Sequence, residues 1–182
     1  MNSAGWLALS QEIDLAPQGR VSERDQEWAR AFLRDHAFPG AERLPLWILQ
    51  PWQDDHRGAL PVEDWDRLIR PFAGRARFWQ IGHEGDGAIQ GCEYYFLARP
   101  NSSRDARHLM ALVAQAQAYI GIEAVPRHVA GLQQIPSLIF GERAASALYL
   151  KERTLALPDL GRDACLEEAT RWIESRLVLS AG

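Results

Sequence analysis

Residues 136–150 read PSLIFGERAASALYL, a short apolar run that ends at a glycine and passes directly into an alanine-rich segment. Leu138 to Phe140 have the length and composition of a buried strand. Residues 142–151 have the composition and apolar spacing of a helix. This passage predicts a strand followed at once by a helix, and it indicates a fold in which the two kinds of element alternate.

The segments upstream continue this alternation. Ser22 begins a Ser-x-x-Asp capping box, and apolar residues then recur at helical spacing until Phe38. Residues 44–50 read LPLWILQ, which is short and continuously apolar and therefore predicts a buried strand. Pro61 opens a second predicted helix, which ends at Pro71.

Two runs rich in aromatic and β-branched residues follow, at 75–82 and 88–99. The segment between them reads HEGDG, and its glycines supply the positive φ that a hairpin turn requires. The two runs are therefore predicted to be strands that pair antiparallel.

The longest helix is predicted over 103–120, with Gly121 as the residue that ends it. A short strand is expected at 153–158, and Asp163 caps a final amphipathic helix. Together these elements predict one globular domain over residues 1–182, of the α+β or α/β class. Its mixed sheet would be flanked by about five helices.

Composition excludes several classes of protein. Apolar residues make up 47% of the 182 residues, enough for a full core, and the net charge of −4 gives no general grip on nucleic acid. Cys92 and Cys165 form no Cys-x-x-Cys pair and the five histidines lack metal-ligand spacing, so neither a disulfide framework nor a metal site is predicted. No segment resembles a signal peptide or a membrane span, which predicts a cytoplasmic protein without membrane insertion.

The turn after Phe140 is the best candidate for a binding site. A strand that ends in Gly141 at the start of a helix leaves backbone N–H groups pointing outward, with partial positive charge, which suits an anion. Arg143 can add a bidentate grip on a phosphate, and Glu142 can orient a water or hold a metal-bound nucleotide. The structural alternative is that Gly141 only permits a tight turn and Glu142 only satisfies the helix dipole.

The LIFGERAASA segment, with the helix upstream and Val125-Pro126 between them, resembles the central part of the ParB and sulfiredoxin superfamily. There a Gly-Glu-Arg-Arg box opens a helix beside the nucleotide site. Gly141, Glu142 and Arg143 match that box, whereas Ala144 replaces its second arginine and the upstream Asn-Pro-Arg box is not evident. Within the superfamily, a small arginine-rich domain of this kind is most similar to the Osa and FiwA group of plasmid fertility-inhibition proteins.

That resemblance implies a nucleotide hydrolase and DNase, with ATP and a divalent cation such as Mg²⁺ as cofactors. Glu142 would be the acidic catalytic residue, and Gly141 and Arg143 would bind the nucleotide. The implied partners are DNA and a conjugative secretion or coupling protein, and the implied role is to inhibit conjugative or T-DNA transfer in a bacterium.

Two other interpretations remain open at this point. A non-catalytic binding module, such as an immunity or anti-defence inhibitor that occludes a partner protein, is favoured by the acidic balance and by Trp6 and Trp52 near loops. A thioredoxin-like structural domain is favoured by Ile135-Pro136 ahead of a strand, although the Cys-x-x-Cys motif of that fold is missing.

Overall fold

The computed structural model describes residues 21–52, 60–82, 86–97, 103–122, 124–141, 152–155 and 161–180. The helices in these ranges are α1 (Glu23–Asp35), α2 (Val62–Ile69), α3 (Ser103–Ala114), α4 (Val125–Leu132) and α5 (Arg162–Ser180). The strands are β1 (Leu46–Gln50), β2 (Arg77–Gly82), β3 (Cys92–Leu97), β4 (Ala118–Ile122), β5 (Ser137–Phe140) and β6 (Glu152–Leu155). Two short 3-10 helices lie at Ala41–Arg43 and Arg70–Phe72.

The six strands form one sheet in the order β3-β2-β1-β4-β5-β6, and every neighbouring pair is parallel. From β1 the chain moves outward to β3, returns to the other side of β1 as β4, and then moves outward to β6. This is the order of a doubly wound α/β sheet. The α/β class is confirmed, and the mixed sheet is replaced by a parallel one.

The antiparallel hairpin predicted for 75–82 and 88–99 is wrong, because β2 and β3 are parallel. The connection returns along α2 instead of folding back on β2. The Gln80 side chain holds it there, donating from Nε2 to the Gly87 carbonyl (2.9 Å) and accepting from the Ile89 N–H (2.8 Å). The Gln90 N–H donates to Asp66 Oδ1 of α2 at 2.6 Å. The described part of this connection, residues 86–91, lies against α2 and contains no helix, whereas a helix is usual between parallel strands.

The long helix predicted over 103–120 is also wrong in its second half. α3 ends at Ala114, and β4 begins at Ala118. The Gln117 N–H donates to the Leu46 carbonyl at 2.8 Å, which starts the pairing with β1. Gly121 therefore lies within a strand and does not terminate a helix. The helical spacing of apolar residues continues from α3 into β4, so the sequence does not mark the boundary between them.

The sheet separates two hydrophobic layers. Alternate side chains along β1 point to opposite faces, so Trp47 and Leu49 join α2 and α5 whereas Leu46 and Ile48 join α1, α3 and α4. Trp47 packs edge-on against Trp172 of α5, with ring centroids 5.9 Å apart. The helices on both faces leave the two ends of the strands as the accessible parts of the central sheet.

The local signals at the first helix are confirmed. Ser22 is the N-cap of α1, and its hydroxyl accepts a hydrogen bond from the Asp25 N–H at 3.2 Å. None of the helices in the described part of the chain is long and apolar enough to cross a membrane.

Candidate functional site at the strand-order reversal

Parallel strands bring all their carboxyl ends to one edge of the sheet. Gln50 ends β1, Ile122 ends β4 and Phe140 ends β5. Strand order reverses between β1 and β4, so the chain leaves these two neighbours in opposite directions. Such a reversal opens a crevice beyond the strand ends, and ligands of doubly wound proteins bind there. The carboxyl ends of β1 and β4 are therefore the candidate site.

Gln50 and Tyr119 form the floor of this site. Gln50 lies two residues after Ile48, so its side chain points to the face covered by α1, α3 and α4, and the residue is only 2% exposed. The Tyr119 hydroxyl, on the same face, donates to Gln50 Oε1 at 3.1 Å. Within the described part of the chain, Gln50 Nε2 makes no hydrogen bond. The Gln50 carboxamide is thus held at its oxygen, and its two N–H groups are available to donate hydrogen bonds.

Gly121 makes the close approach of β4 to β1 possible. Its Cα lies opposite that of Gln50, and a Cβ placed on it would come within 2.6 Å of the Gln50 carbonyl oxygen and 2.9 Å of the Tyr119 hydroxyl. Real Cβ atoms do not make such contacts. Glycine is required here because the Gln50 backbone oxygen and the Tyr119 side chain fill the place that a Cβ would occupy.

Helix α4 begins almost directly after β4. Its N-cap is Ala124, in an extended conformation and without a side-chain cap. Pro126 in the first turn has no N–H, and the Arg127 N–H is bonded to the Ala124 carbonyl at 3.1 Å. The first turn therefore offers an anion the Val125 N–H and the positive end of the helix dipole.

Helix α4 packs on the same face of the sheet to which Gln50 points, through Val129 and Ala130. Its N-terminus and the Gln50 carboxamide thus share one corner of the carboxyl edge. We call the set Gln50, Gly121, Ala124 and Val125 the switch-point corner. Neutral donors and a helix dipole lie on the same face of this edge, an arrangement that suits a phosphate oxygen.

On the opposite face, ion pairs occupy the starts of α2 and α5. Arg162 binds both carboxylate oxygens of the buried Asp64, with Nη2 to Oδ1 at 2.7 Å, and this hydrogen bonding raises the pKa of the guanidinium. Arg67 pairs with Asp163 at 3.2 Å across the same two helices. These charges are engaged with each other, so they join α2 to α5. Among the described residues, no three His, Cys, Asp or Glu side chains are grouped closely enough to hold a metal ion.

The predicted site residues begin at the same edge, one strand further out. Gly141 follows β5 directly and is half-buried. A Cβ there would meet Ile139 Cγ2 at an ordinary 3.9 Å, and the φ of Gly141 lies outside the left-handed region, so neither space nor backbone requires glycine. Glu142 and Arg143 lie outside the described residues, as does the helix predicted over 142–151, and their roles stay predictions.

Sequence reasoning missed the switch-point corner itself. A usable signal was present: the continuous apolar run AYIGI at 118–122 is followed within four residues by Pro126. A short apolar run, a brief turn and a proline in the first turn of a helix are typical of a strand that passes into a helix.

No family model matches the chain, and no curated protein matches it. Its fold is similar to that of the glycosyl transferase family 9 structure from Veillonella parvula DSM 2008, with a TM-score of 0.63 at 12% identity over 87% of this chain and 53% of that one. It is also similar to ADP-heptose LPS heptosyltransferase II from E. coli, with a TM-score of 0.60 at 15% identity over 90% of this chain and 54% of that one. The chain thus spans about half the length of these two proteins, and the likeness is one of fold.

These findings overturn the resemblance to the ParB and sulfiredoxin superfamily. That resemblance depended on a Gly-Glu-Arg triplet, whereas residues 103–140 of the structure form α3, β4, α4 and β5 of a parallel sheet like that of the glycosyltransferases. The functions that the resemblance implied are therefore also wrong, namely ATPase, DNase and fertility inhibition through a conjugative secretion protein. A triplet is too short to specify a fold.

The other two interpretations lose the residues that favoured them. Trp52 is 7% exposed and belongs to the core under α2, so it is not an interface anchor, and Trp6 lies outside the described residues. The Ile135–Pro136 peptide is trans, and it precedes β5 of the doubly wound sheet.

Proposed function

We propose that this chain binds a nucleotide-activated sugar at the switch-point corner and forms the donor-binding part of a sugar transferase. The observation that carries the proposal is the reversal of strand order between β1 and β4, with α4 starting directly beside it. Nucleotides bind at this position in doubly wound sheets because helix N-termini and strand ends converge there.

The class of ligand follows from the chemistry of the corner and from the similar structures. The Val125 N–H, the α4 dipole and the Gln50 carboxamide are donors without a cationic side chain among them, which fits a phosphate oxygen. One similar structure is named for ADP-heptose, a sugar joined to a nucleoside diphosphate. Because this chain spans about half of each similar structure, the proposal concerns binding of the sugar donor.

Three residues that the sequence predicts as site residues, Gly141, Glu142 and Arg143, follow β5 and can contribute to the same ligand site. Gly141 ends β5 at the same edge as the corner, and Arg143 follows two residues later. We propose Arg143 as a second phosphate contact and Glu142 as a ligand for a divalent cation bound with the nucleotide. ATP shares adenosine and two phosphates with an ADP-sugar, so titrations of ATP with and without Mg²⁺ test both residues.

The test uses two matched variants at the N-cap of α4. Ala124→Asn and Ala124→Asp both supply a capping side chain, worth about 1 kcal/mol to the helix, and they differ only in charge. Calorimetric titration with ADP-glucose and ADP should show binding to the wild type and to Ala124→Asn. Ala124→Asp should bind ADP about tenfold more weakly or weaker still. Its carboxylate would sit at the positive end of the α4 dipole and repel phosphate.

Two results would contradict the proposal. One is a wild-type protein that binds none of ADP-glucose, ADP or UDP-glucose at millimolar concentration. The other is equal affinity of the Asn and Asp variants for ADP while both remain folded by circular dichroism, because the ligand would then lie away from α4.

A further inference from the structure

We propose that Gln50 is a binding residue that donates from Nε2 to a phosphate oxygen of the ligand, and that Tyr119 positions it. The inference rests on the proposed function, since it assigns one contact within the same corner.

Gln50 is a buried residue whose side-chain donor reaches the surface. The residue is 2% exposed at the end of a central strand, and within the described ranges its Nε2 has no hydrogen-bond partner. Nε2 is not among the buried side-chain atoms of the described residues that lack a partner, so it reaches solvent at the carboxyl edge, where a ligand can contact it. A ligand acceptor at the carboxyl edge would complete its hydrogen bonding.

The Tyr119 hydroxyl determines which end of the carboxamide is available. It donates to Oε1, so Oε1 lies toward Tyr119 and the two Nε2 hydrogens project to the other side. The tyrosine ring is itself fixed, because it is fully buried and lies in the space left by Gly121. The Tyr119 to Gln50 hydrogen bond therefore presents a donor in a preset orientation.

The position of α4 identifies the acceptor. Gln50 and the first turn of α4 lie on the same face of the sheet at the same edge. The positive end of the dipole favours a negatively charged oxygen there over an uncharged base nitrogen. A phosphate oxygen accepts from both the carboxamide and the Val125 N–H, so the two donors act together.

The experiment compares ADP with adenosine on three variants. Gln50→Met keeps the length of the side chain without its donors and should weaken ADP binding about tenfold or more, the effect of losing a hydrogen bond to a charged group. Adenosine affinity should stay unchanged. Gln50→Glu keeps the acceptor for Tyr119 but turns an oxygen toward the phosphate, so it should weaken ADP binding further.

Tyr119→Phe tests the positioning role. It should weaken ADP binding less than Gln50→Met does, and it should add no further loss in the Gln50→Met background. The side-chain amide resonances of Gln50 should move on ADP addition to the wild type, a response that a purely structural glutamine would not give. Thermal denaturation of each variant verifies that it is folded.

The possible outcomes separate this inference from the proposed function. If wild type and Gln50→Met bind ADP equally, the inference is overturned while the corner remains a nucleotide site. If Gln50→Met weakens adenosine as much as ADP, the contact is not to phosphate and the inference also fails. If the wild type binds no nucleotide, it is the proposed function that fails.

Discussion

Gly121 of β4 lies directly opposite Gln50 of β1, and the space above it is occupied by the ring of Tyr119, whose hydroxyl reaches the Gln50 carboxamide at 3.1 Å. The two central strands can approach each other at the reversal of strand order only because residue 121 has no side chain. This relationship links the stability of the sheet to the shape of the candidate site.

The first prediction concerns that glycine. Gly121→Ala should lower the free energy of unfolding by about 1–3 kcal/mol, because the new Cβ would meet a backbone oxygen that cannot move aside. Urea denaturation followed by tryptophan fluorescence measures the change. Gly141→Ala is the matched control, since its Cβ would make only an ordinary contact, and it should change stability by less than about 0.5 kcal/mol. Equal midpoints for the two variants would refute the packing described for β1 and β4.

The second prediction concerns a buried ion pair near the start of β2. Arg77 Nε donates to Glu93 Oε2 at 2.7 Å, Nη2 donates to the Leu33 carbonyl at 3.1 Å, and both charged side chains are less than a tenth exposed. Glu93→Ala leaves the guanidinium buried without its carboxylate, which should cost about 3–5 kcal/mol.

Its control is Asp35→Ala, which removes the exposed partner of Arg34 and should cost less than about 1 kcal/mol. Both values come from urea titrations at the same ionic strength. Similar costs for the two variants would show that Arg77 is not buried in solution as it is in the structure.

The third prediction tests the connection between β2 and β3. Gln80→Leu removes the two hydrogen bonds that attach Gly87 and Ile89 to the sheet. Amide hydrogen exchange at Ile89 should then accelerate by an order of magnitude or more, while exchange at Ile48 in β1 stays near the wild-type rate. Unchanged protection at Ile89 would count against the attachment of this connection to β2 through Gln80.

The fourth prediction concerns the cysteines. Burial raises the pKa of both thiols above the ordinary value, and Asp66 and Glu93 raise that of Cys92 further. A thiol whose pKa is raised in the folded state binds its proton more tightly there. It therefore contributes stability at neutral pH that is lost as the pH rises past about 8.5, where thiols of the unfolded chain ionise.

The native protein at pH 8 should accordingly react slowly with a thiol reagent, and both thiols should react rapidly in urea. Comparison with the Cys92→Ser and Cys165→Ser variants identifies which thiol accounts for any labelling of the native protein. Rapid labelling of the native protein at either thiol would contradict the burial described for it.

Elements specified by neighbouring residues are predictable from the sequence, whereas those specified by contacts elsewhere in the fold are not. The Ser22 cap and the apolar run of β1 depend on neighbouring residues, and the structure has both. The direction of β3 depends on side chains outside its connection: Gln80 of the preceding strand bonds Gly87 and Ile89, and Asp66 of α2 bonds Gln90, 24 positions later. The Gln80 and Asp66 side chains lie outside the HEGDG segment, and the segment by itself is typical of a hairpin turn.

The same division applies to the site. The glycine after β5 was recognised as the end of a strand, and it does lie at the carboxyl edge. The pairing of Gln50 with Tyr119 joins residues 69 positions apart in sequence and exists only because β4 returns to the side of β1. A site at a reversal of strand order is defined by topology, and that order can be read only once the strands are placed.

Titration of ADP into the ¹⁵N-labelled protein, followed through its amide resonances, tests whether a nucleotide binds where β1 and β4 diverge. We expect the largest shifts at Gln50, Gly121 and Val125, with little change at Gln117 and Gln134, which lie at the opposite edge of the sheet. Shifts confined to Gln117 and Gln134, or no shifts at a millimolar excess of ADP, would contradict binding at that position.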